Sequence, residues 1–207
     1  MIDAHDALDR LREGNRRFVS DVQRLDAAYS VRRAALVDRQ FPFAIVLGCS
    51  DSRVPAELVF DQGVGDLFVI RVAGNIVAPS QVGSVEFAAT RFKTRLVVVL
   101  GHSQCGAILA TLEELRQPVA NQSLNLRSIV ERVRPSVEPL LESPLAGNED
   151  DLVHHAVRAN VRASASHLRH GSAILEDLIA NEGLRVVGAE YSLETGAVDF
   201  FDGVEGG

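Results

Sequence analysis

The chain has 207 residues, of which 46% are apolar and 24% charged, a composition typical of one well-buried globular domain. Its net charge of −7 argues against binding to nucleic acid, whose phosphate backbone attracts basic proteins. No apolar run approaches the roughly 18 to 20 residues that span a bilayer. The N-terminus also lacks the apolar core of a signal peptide, so we expect no membrane partner and a location in the cytoplasm.

The first part of the chain is predicted to form a helical arm, over residues 1 to about 40. Apolar residues recur there at helical spacing after Asp3, a residue type that favours the N-cap position. A second, shorter helix is expected after Ser30. The rest, from about residue 41 to 207, is predicted to belong to the same single domain, because no linker separates it.

Buried strands alternate with helices in the next part of the chain. Short apolar runs rich in β-branched residues, bounded by turn residues, are typical of strands that are covered on both faces. Helical spacing is found between and after them, and Ser80 is expected to cap one helix. The pattern predicts strands at 43–47, 67–70 and 96–100, and helices at 80–92 and 105–115.

Residues 121–181 are predicted to be helical almost throughout, with breaks at Pro135, Pro139 and 143–147. Two further strands are expected near the end of the chain, at 184–189 and 197–201. Strands that alternate with helices indicate an α/β fold, with a mostly parallel central β-sheet and flanking helices.

The two cysteines of the chain each follow a predicted strand. Cys49 comes directly after the first strand, whereas His102 and Cys105 follow the third, three residues apart and so on one side of a helical turn. Because parallel strands end at one edge of a sheet, and ligand sites of open α/β sheets lie at that edge, we expect these three side chains to meet.

Two sulfur ligands and one imidazole are a donor set that suits zinc, and three protein ligands leave the fourth position open, as in catalytic zinc sites. Two other interpretations of the cysteines stay open at this point. They could be buried thiols beside a hydrogen-bonded histidine, or they could form one disulfide, which a reducing compartment disfavours.

Asp51 and Arg53 are predicted to lie beside this site. Asp51 is two residues from Cys49, so in an extended segment both side chains face the same way. Arg53 can hold the carboxylate ionised through a bidentate pair, leaving it able only to accept hydrogen bonds. The alternative is an ordinary loop salt bridge, which is common on surfaces.

Four segments carry a resemblance to a known family. Residues 48–54, 65–69, 71–75 and 101–106 read GCSDSRV, GDLFV, RVAGN and GHSQCG, and together they resemble the β-class carbonic anhydrases. The N-terminal EGNRRFV at 13–19 is similar to the first helix of that family. The strong similarity extends from residue 43 to residue 112, and weaker similarity covers most of the chain.

The resemblance implies roles for individual residues. Cys49, His102 and Cys105 match the zinc ligands, and Asp51 with Arg53 matches the pair beside the open position, although Asp51 becomes a fourth ligand in a closed form known in the family. Substrate contacts are implied for Gln40, Phe68, Phe87 and Gly106, with phenylalanine at position 87 where some members carry tyrosine. The family also implies a homodimer or homotetramer with pockets at subunit interfaces.

The expected function is zinc-dependent hydration of carbon dioxide to bicarbonate and a proton, that is, a carbonate dehydratase. Zinc-bound hydroxide would attack the substrate while Asp51 and Arg53 orient it. Because two thiolates cancel the formal charge of the zinc, we expect activity to rise above neutral pH. Two alternatives remain: hydrolysis of carbon disulfide or carbonyl sulfide at the same kind of site, and a binding module with a purely structural zinc.

Overall fold

The computed structural model describes residues 2–22, 29–117 and 123–204. The strands are β1 Ala44–Gly48, β2 Leu67–Arg71, β3 Leu96–His102, β4 Arg185–Tyr191 and β5 Val198–Asp202. The helices are α1 Ala4–Val19, α2 Tyr29–Ala35, α3 Ala56–Val59, α4 Pro79–Arg91, α5 Gly106–Arg116, α6 Leu124–Leu141, α7 Glu149–His170 and α8 Ala173–Asn181. Two 3₁₀ turns lie at Ala73–Asn75 and Pro144–Gly147. None of these helices is both long and apolar enough to cross a membrane.

The five strands form one sheet in the spatial order β2-β1-β3-β4-β5. Strand β1 pairs in parallel with β2 and β3, and β3 pairs in parallel with β4, whereas β5 is antiparallel to β4. Strands β1 and β3 are buried along their whole length, as their continuous apolar runs predict. The predicted α/β fold with a mostly parallel sheet is therefore confirmed.

Helices cover both faces of the sheet. Helices α1 and α3 pack on one face with the apolar core around Leu11 and Val98, and α4, α7 and α8 cover the other face. Helices α5 and α6 pack together against α7, beside the carboxyl ends of β1 and β3. Both cysteines belong to the apolar cluster that these three helices form beside the sheet edge. The candidate site therefore lies at the edge of a tightly packed region.

Helix termini show where local sequence rules hold and where they fail. The Asp3 carboxylate accepts a hydrogen bond from the backbone N–H of Asp6, as predicted for an N-cap. Ser80 is not a cap, because Pro79 opens α4 and Ala78 takes the N-cap position without a side-chain bond. Proline suits the first turn because its missing N–H has no partner there.

The predicted breaks at Pro135 and Pro139 are wrong, since α6 continues through both. Both prolines lie on the exposed side of the helix, while Val133 and Val137 are fully buried on the other. Packing of that apolar side outweighs the backbone hydrogen bonds that the prolines remove. The break predicted at 143–147 is present as the 3₁₀ turn, and residues 121–122 of the predicted helix lie outside the described residues.

Candidate metal centre

The two cysteines and His102 meet at the carboxyl edge of the sheet. Cys49 follows β1 directly, and His102 is the last residue of β3, which runs further than its predicted end. Cys105 is the N-cap of α5. His102 and Cys105 are therefore not on one helical turn, as the spacing suggested. A tight turn joins them instead, and in it Gln104 adopts the left-handed conformation with φ of 53°.

The three side chains form a compact donor group. Their ligand atoms lie within 4.8 Å of one another, and the two sulfurs are 4.0 Å apart. All three residues are buried, His102 completely. Two sulfurs bound to one zinc at about 2.3 Å in tetrahedral geometry lie roughly 3.8 Å apart, so the group fits a zinc ion. No other such group of three metal-binding side chains occurs within residues 2–22, 29–117 and 123–204.

The imidazole of His102 is oriented for binding through Nε2. Its Nδ1 lies 2.8 Å from the backbone carbonyl oxygen of Ser103, which can only accept a hydrogen bond, so Nδ1 carries the proton. The other nitrogen, Nε2, is buried and has no hydrogen-bond partner among the described residues. A buried ring nitrogen without a partner is costly unless a ligand satisfies it, and a metal ion would do so.

The two thiols differ in their charge. The hydrogen bond from Cys105 lowers the pKa of the Cys49 thiol to about 4, against the effect of burial, and His102 assists. The same contact with Cys49, together with burial, raises the pKa of the Cys105 thiol. Two thiolates this close would repel each other, so without a cation the pair holds one negative charge. A divalent ion removes this restriction and lets both sulfurs ionise.

Asp51 lies on the open side of the group and is held by Arg53. The guanidinium donates to both carboxylate oxygens, over 2.9 and 2.8 Å, and the Arg53 backbone N–H adds a third bond of 2.9 Å. These bonds hold the pKa of the Asp51 carboxyl well below its usual range. One carboxylate oxygen lies 3.8 Å from Nε2 of His102. The site thus combines a donor group with an ionised, acceptor-only neighbour.

A turn of the backbone supports the sulfur of Cys49. The backbone N–H of Gly74 donates to the sulfur over 3.3 Å, and Gly74 has φ of 69°, where a side chain is strained. Asn160 and Ser164 of α7 hold this turn by donating to the carbonyl oxygens of Gly74 and Asn75. No local pattern indicates either α7 residue, because each lies more than 80 positions from the turn it supports.

Arg71 is a further residue whose role the sequence did not indicate. It ends β2 opposite Gly48, and its guanidinium donates to the backbone carbonyl oxygens of Cys49 and Asp51. The side chain therefore fixes the path of the loop that carries both residues. Its place in the RVAGN segment at 71–75, which contributes to the family resemblance, was the available signal.

The predicted substrate contacts are divided between two regions. Gly106 is the first residue of α5 and adjoins Cys105, so its backbone N–H lies beside the donor group. Phe68 pairs with Ile45, four residues before Cys49 and therefore about 13 Å along the strand. Its ring packs near Phe87 and Phe92, and Gln40 lines a surface pocket that also contains Phe92. Within one chain, Gln40, Phe68 and Phe87 thus share a surface away from the donor group.

Comparison with known proteins shows which family the sequence and the fold match. The family model described as carbonic anhydrase matches residues 44–198. The chain is 39% identical to a carbonic anhydrase of Mycolicibacterium smegmatis over 190 residues, covering 91% of this chain and 89% of the relative. It is 38% identical to carbonic anhydrase 2 of Mycobacterium tuberculosis over 188 residues, covering 90% and 87%. The fold matches one of two tetrameric β-carbonic anhydrases of Sordaria macrospora with a TM-score of 0.70, at 25% identity, covering 84% of this chain and 89% of that one.

Proposed function

Because this chain belongs to the β-carbonic anhydrase family, and is a carbonate dehydratase by that membership, we propose that it hydrates carbon dioxide with a zinc ion held by Cys49, His102 and Cys105. The observation that carries the proposal is the buried group of two sulfurs and one imidazole, whose Nε2 has no protein partner among the described residues. Sulfur and imidazole ligands favour zinc over magnesium or calcium, which prefer oxygen.

The bound zinc would supply a water of lowered pKa, and hence a hydroxide nucleophile near neutral pH. The protein residues orient that nucleophile. Asp51, kept ionised by Arg53, accepts the remaining hydrogen of the attacking oxygen, so that a lone pair points toward the carbon of the substrate. The hold of Arg53 on both carboxylate oxygens also opposes a closed form in which Asp51 itself becomes a ligand.

The number of protein ligands and the neighbouring Asp51–Arg53 pair both favour a catalytic rather than a structural zinc. A structural site has four protein ligands, whereas three are available here among the described residues. The neighbouring carboxylate is engaged by an arginine rather than by the donor group. The backbone N–H of Gly106, at the start of α5, is suited to donate to a bicarbonate oxygen, since the first N–H groups of a helix have no partner within it.

The remaining substrate contacts would come from a second copy of the chain. Gln40, Phe68 and Phe87 share a surface remote from the donor group of their own chain, and Phe87 is 51% exposed. A two-fold dimer that places this surface against the partner's site would supply an amide donor and an apolar wall for carbon dioxide. The tetrameric relatives from Sordaria support assembly as a dimer or tetramer. The location in the cytoplasm stays a prediction.

The test compares zinc-loaded protein with chelator-treated protein in a stopped-flow assay of carbon dioxide hydration, from about pH 6.5 to about pH 9. We expect hydration by the zinc-loaded protein that rises with pH, none after chelation, and recovery on adding zinc. Cys105→Ser should lose both zinc and activity. Hydration that survives complete removal of the metal would refute the proposal. Measuring carbon disulfide and carbonyl sulfide in parallel would reveal a preference for sulfur substrates.

A further inference from the structure

Ser103 connects the candidate ligand His102 to a segment that the proposed mechanism does not use. Its carbonyl oxygen accepts the Nδ1 proton of His102 over 2.8 Å. Its backbone N–H donates to the carbonyl oxygen of Tyr191 over 2.9 Å. Its hydroxyl donates to the carboxylate of Glu194 over 2.9 Å and accepts from the backbone N–H of Leu193 over 3.0 Å. The peptide that orients the imidazole is thus fixed by three further hydrogen bonds.

The other end of this network is the turn that follows β4. Glu194 accepts a second hydrogen bond from the Ser192 hydroxyl over 3.0 Å, and that hydroxyl accepts from the backbone N–H of Thr195. The pKa of the Glu194 carboxyl is lowered, first by its own backbone N–H and then by Ser103 and Ser192, with a contribution from the charge of Arg53. The carboxylate is therefore an acceptor near neutral pH.

We infer that Ser103 and Glu194 are positioning residues, which hold the His102 imidazole in the orientation from which Nε2 binds the metal. The inference rests on the zinc site proposed above. The turn from Ser103 to Gln104 includes a residue at positive φ, so its backbone needs external support to stay in place. Hydrogen bonds behind a metal-bound histidine fix its ring and its tautomer, and their loss typically lowers metal affinity about 10- to 100-fold.

The experiment measures zinc affinity rather than activity alone. The full chain carrying Ser103→Ala or Glu194→Ala is titrated against a chromophoric zinc chelator at fixed pH. We expect the dissociation constant for zinc to rise about 10-fold, the lower end of that range, because each variant loosens the peptide whose carbonyl oxygen bonds His102 without removing that carbonyl. The double variant should bind zinc less weakly than the product of the two single effects predicts, because both substitutions remove the hydrogen bond from Ser103 to Glu194.

Conservative variants separate positioning from a general loss of structure. Ser103→Thr keeps the hydroxyl and Glu194→Gln keeps an oxygen acceptor, so both should restore most of the zinc affinity. Glu176→Ala on α8 is the matched control for removal of an exposed carboxylate and should bind zinc like the wild type. In cobalt-loaded protein, Ser103→Ala and Glu194→Ala should shift the d–d absorption bands, whereas Glu176→Ala should not.

The outcomes distinguish this inference from the proposed function. The positioning role alone is overturned if the wild type binds zinc and hydrates carbon dioxide while Ser103→Ala and Glu194→Ala both keep a zinc affinity within about twofold of it. Twofold is about the scatter expected for independent sites. Equal losses of zinc affinity in Glu194→Ala and in the control Glu176→Ala overturn the positioning role as well. A wild type that binds no stoichiometric zinc overturns the inference and the proposed function together.

Discussion

At the scale of single residues, the charge state of Asp51 decides what the open side of the donor group can do. An ionised carboxylate only accepts hydrogen bonds, whereas a neutral acid or an amide also donates them. Arg53 favours the ionised carboxylate by donating hydrogen bonds to both of its oxygens. Because the pKa of Asp51 is lowered, the carboxylate stays ionised through neutral pH and well into the acid range. A rise of activity above neutral pH must therefore come from another group.

Asp51→Asn tests that role, because asparagine has the same shape but carries an N–H₂ donor. We expect kcat/KM for carbon dioxide hydration to fall about 100-fold, a typical contribution for a group that handles a reacting proton. Zinc content should be unchanged. Asp177→Asn on α8 is the control. Turnover close to that of the wild type would show that Asp51 does not orient the nucleophile.

The unequal thiols can be tested in metal-free protein by the ultraviolet absorbance of the thiolate. The folded pKa of Cys49 is lowered and that of Cys105 is raised. One thiolate per chain should therefore be present at neutral pH and should be lost only as the pH falls through about 4, the lowered pKa of Cys49. The unfolded chain should show thiolate only near the ordinary pKa of about 8.5. Two thiolates, or none, in the folded protein at neutral pH would contradict the account.

At the scale of elements, strand positions were easier to predict than the turns that build the site. Continuous apolar runs located β1, β2 and β3, and strand and turn signals near the end of the chain located β4 and β5. The edge at which parallel strands end located Cys49 and His102. The turn from His102 to Cys105 was not predictable, because nothing in the local sequence marks Gln104 for a left-handed conformation. The contacts of Asn160 and Glu194 were also missed, since they depend on tertiary packing between segments far apart in the chain.

Gly74 offers a test of one such turn. An alanine there would adopt a left-handed conformation, and its Cβ would lie 3.0 Å from that of Ala107. We expect Gly74→Ala to lower the free energy of unfolding by about 1 to 2 kcal/mol and to weaken zinc binding, because the N–H that donates to Cys49 is displaced.

Gly83→Ala provides the matched control for Gly74→Ala. Gly83 lies inside α4, and an alanine Cβ at this position would meet no atom within 4 Å beyond its chain neighbours and the nearby backbone of its own helix. Alanine should therefore raise the free energy of unfolding by about 0.5 to 1 kcal/mol. Thermal or chemical unfolding of the metal-free proteins gives both values. If the two variants behave alike, the turn at Gly74 does not constrain the site.

At the scale of the whole molecule, we propose that the active site is complete only when two chains meet. The donor group and the surface around Phe87 are separated within one chain, although the resemblance assigns both to one pocket. The separation agrees with the pockets at subunit interfaces that the resemblance implies, although nothing in the sequence of one chain shows which residues are apart. A single chain would then bind zinc without forming the full pocket for carbon dioxide.

Mixing two inactive variants tests this assembly. Cys105→Ser removes the metal and Gln40→Ala removes the proposed amide donor, so each homodimer should be impaired. After unfolding and joint refolding, random dimers should regain activity at about one quarter of the sites, where an intact donor group meets an intact Gln40. Sedimentation should show dimers or tetramers throughout. If the mixture is no more active than the average of the two separate variants, Gln40 does not contribute to the pocket of the partner chain.

The central claim concerns the ligands of the metal, and zinc K-edge X-ray absorption of the purified protein tests it most directly. The account predicts two sulfur neighbours at about 2.3 Å and two nitrogen or oxygen neighbours at about 2.0 to 2.1 Å. A first shell of nitrogen and oxygen alone, or four sulfur ligands, would contradict it.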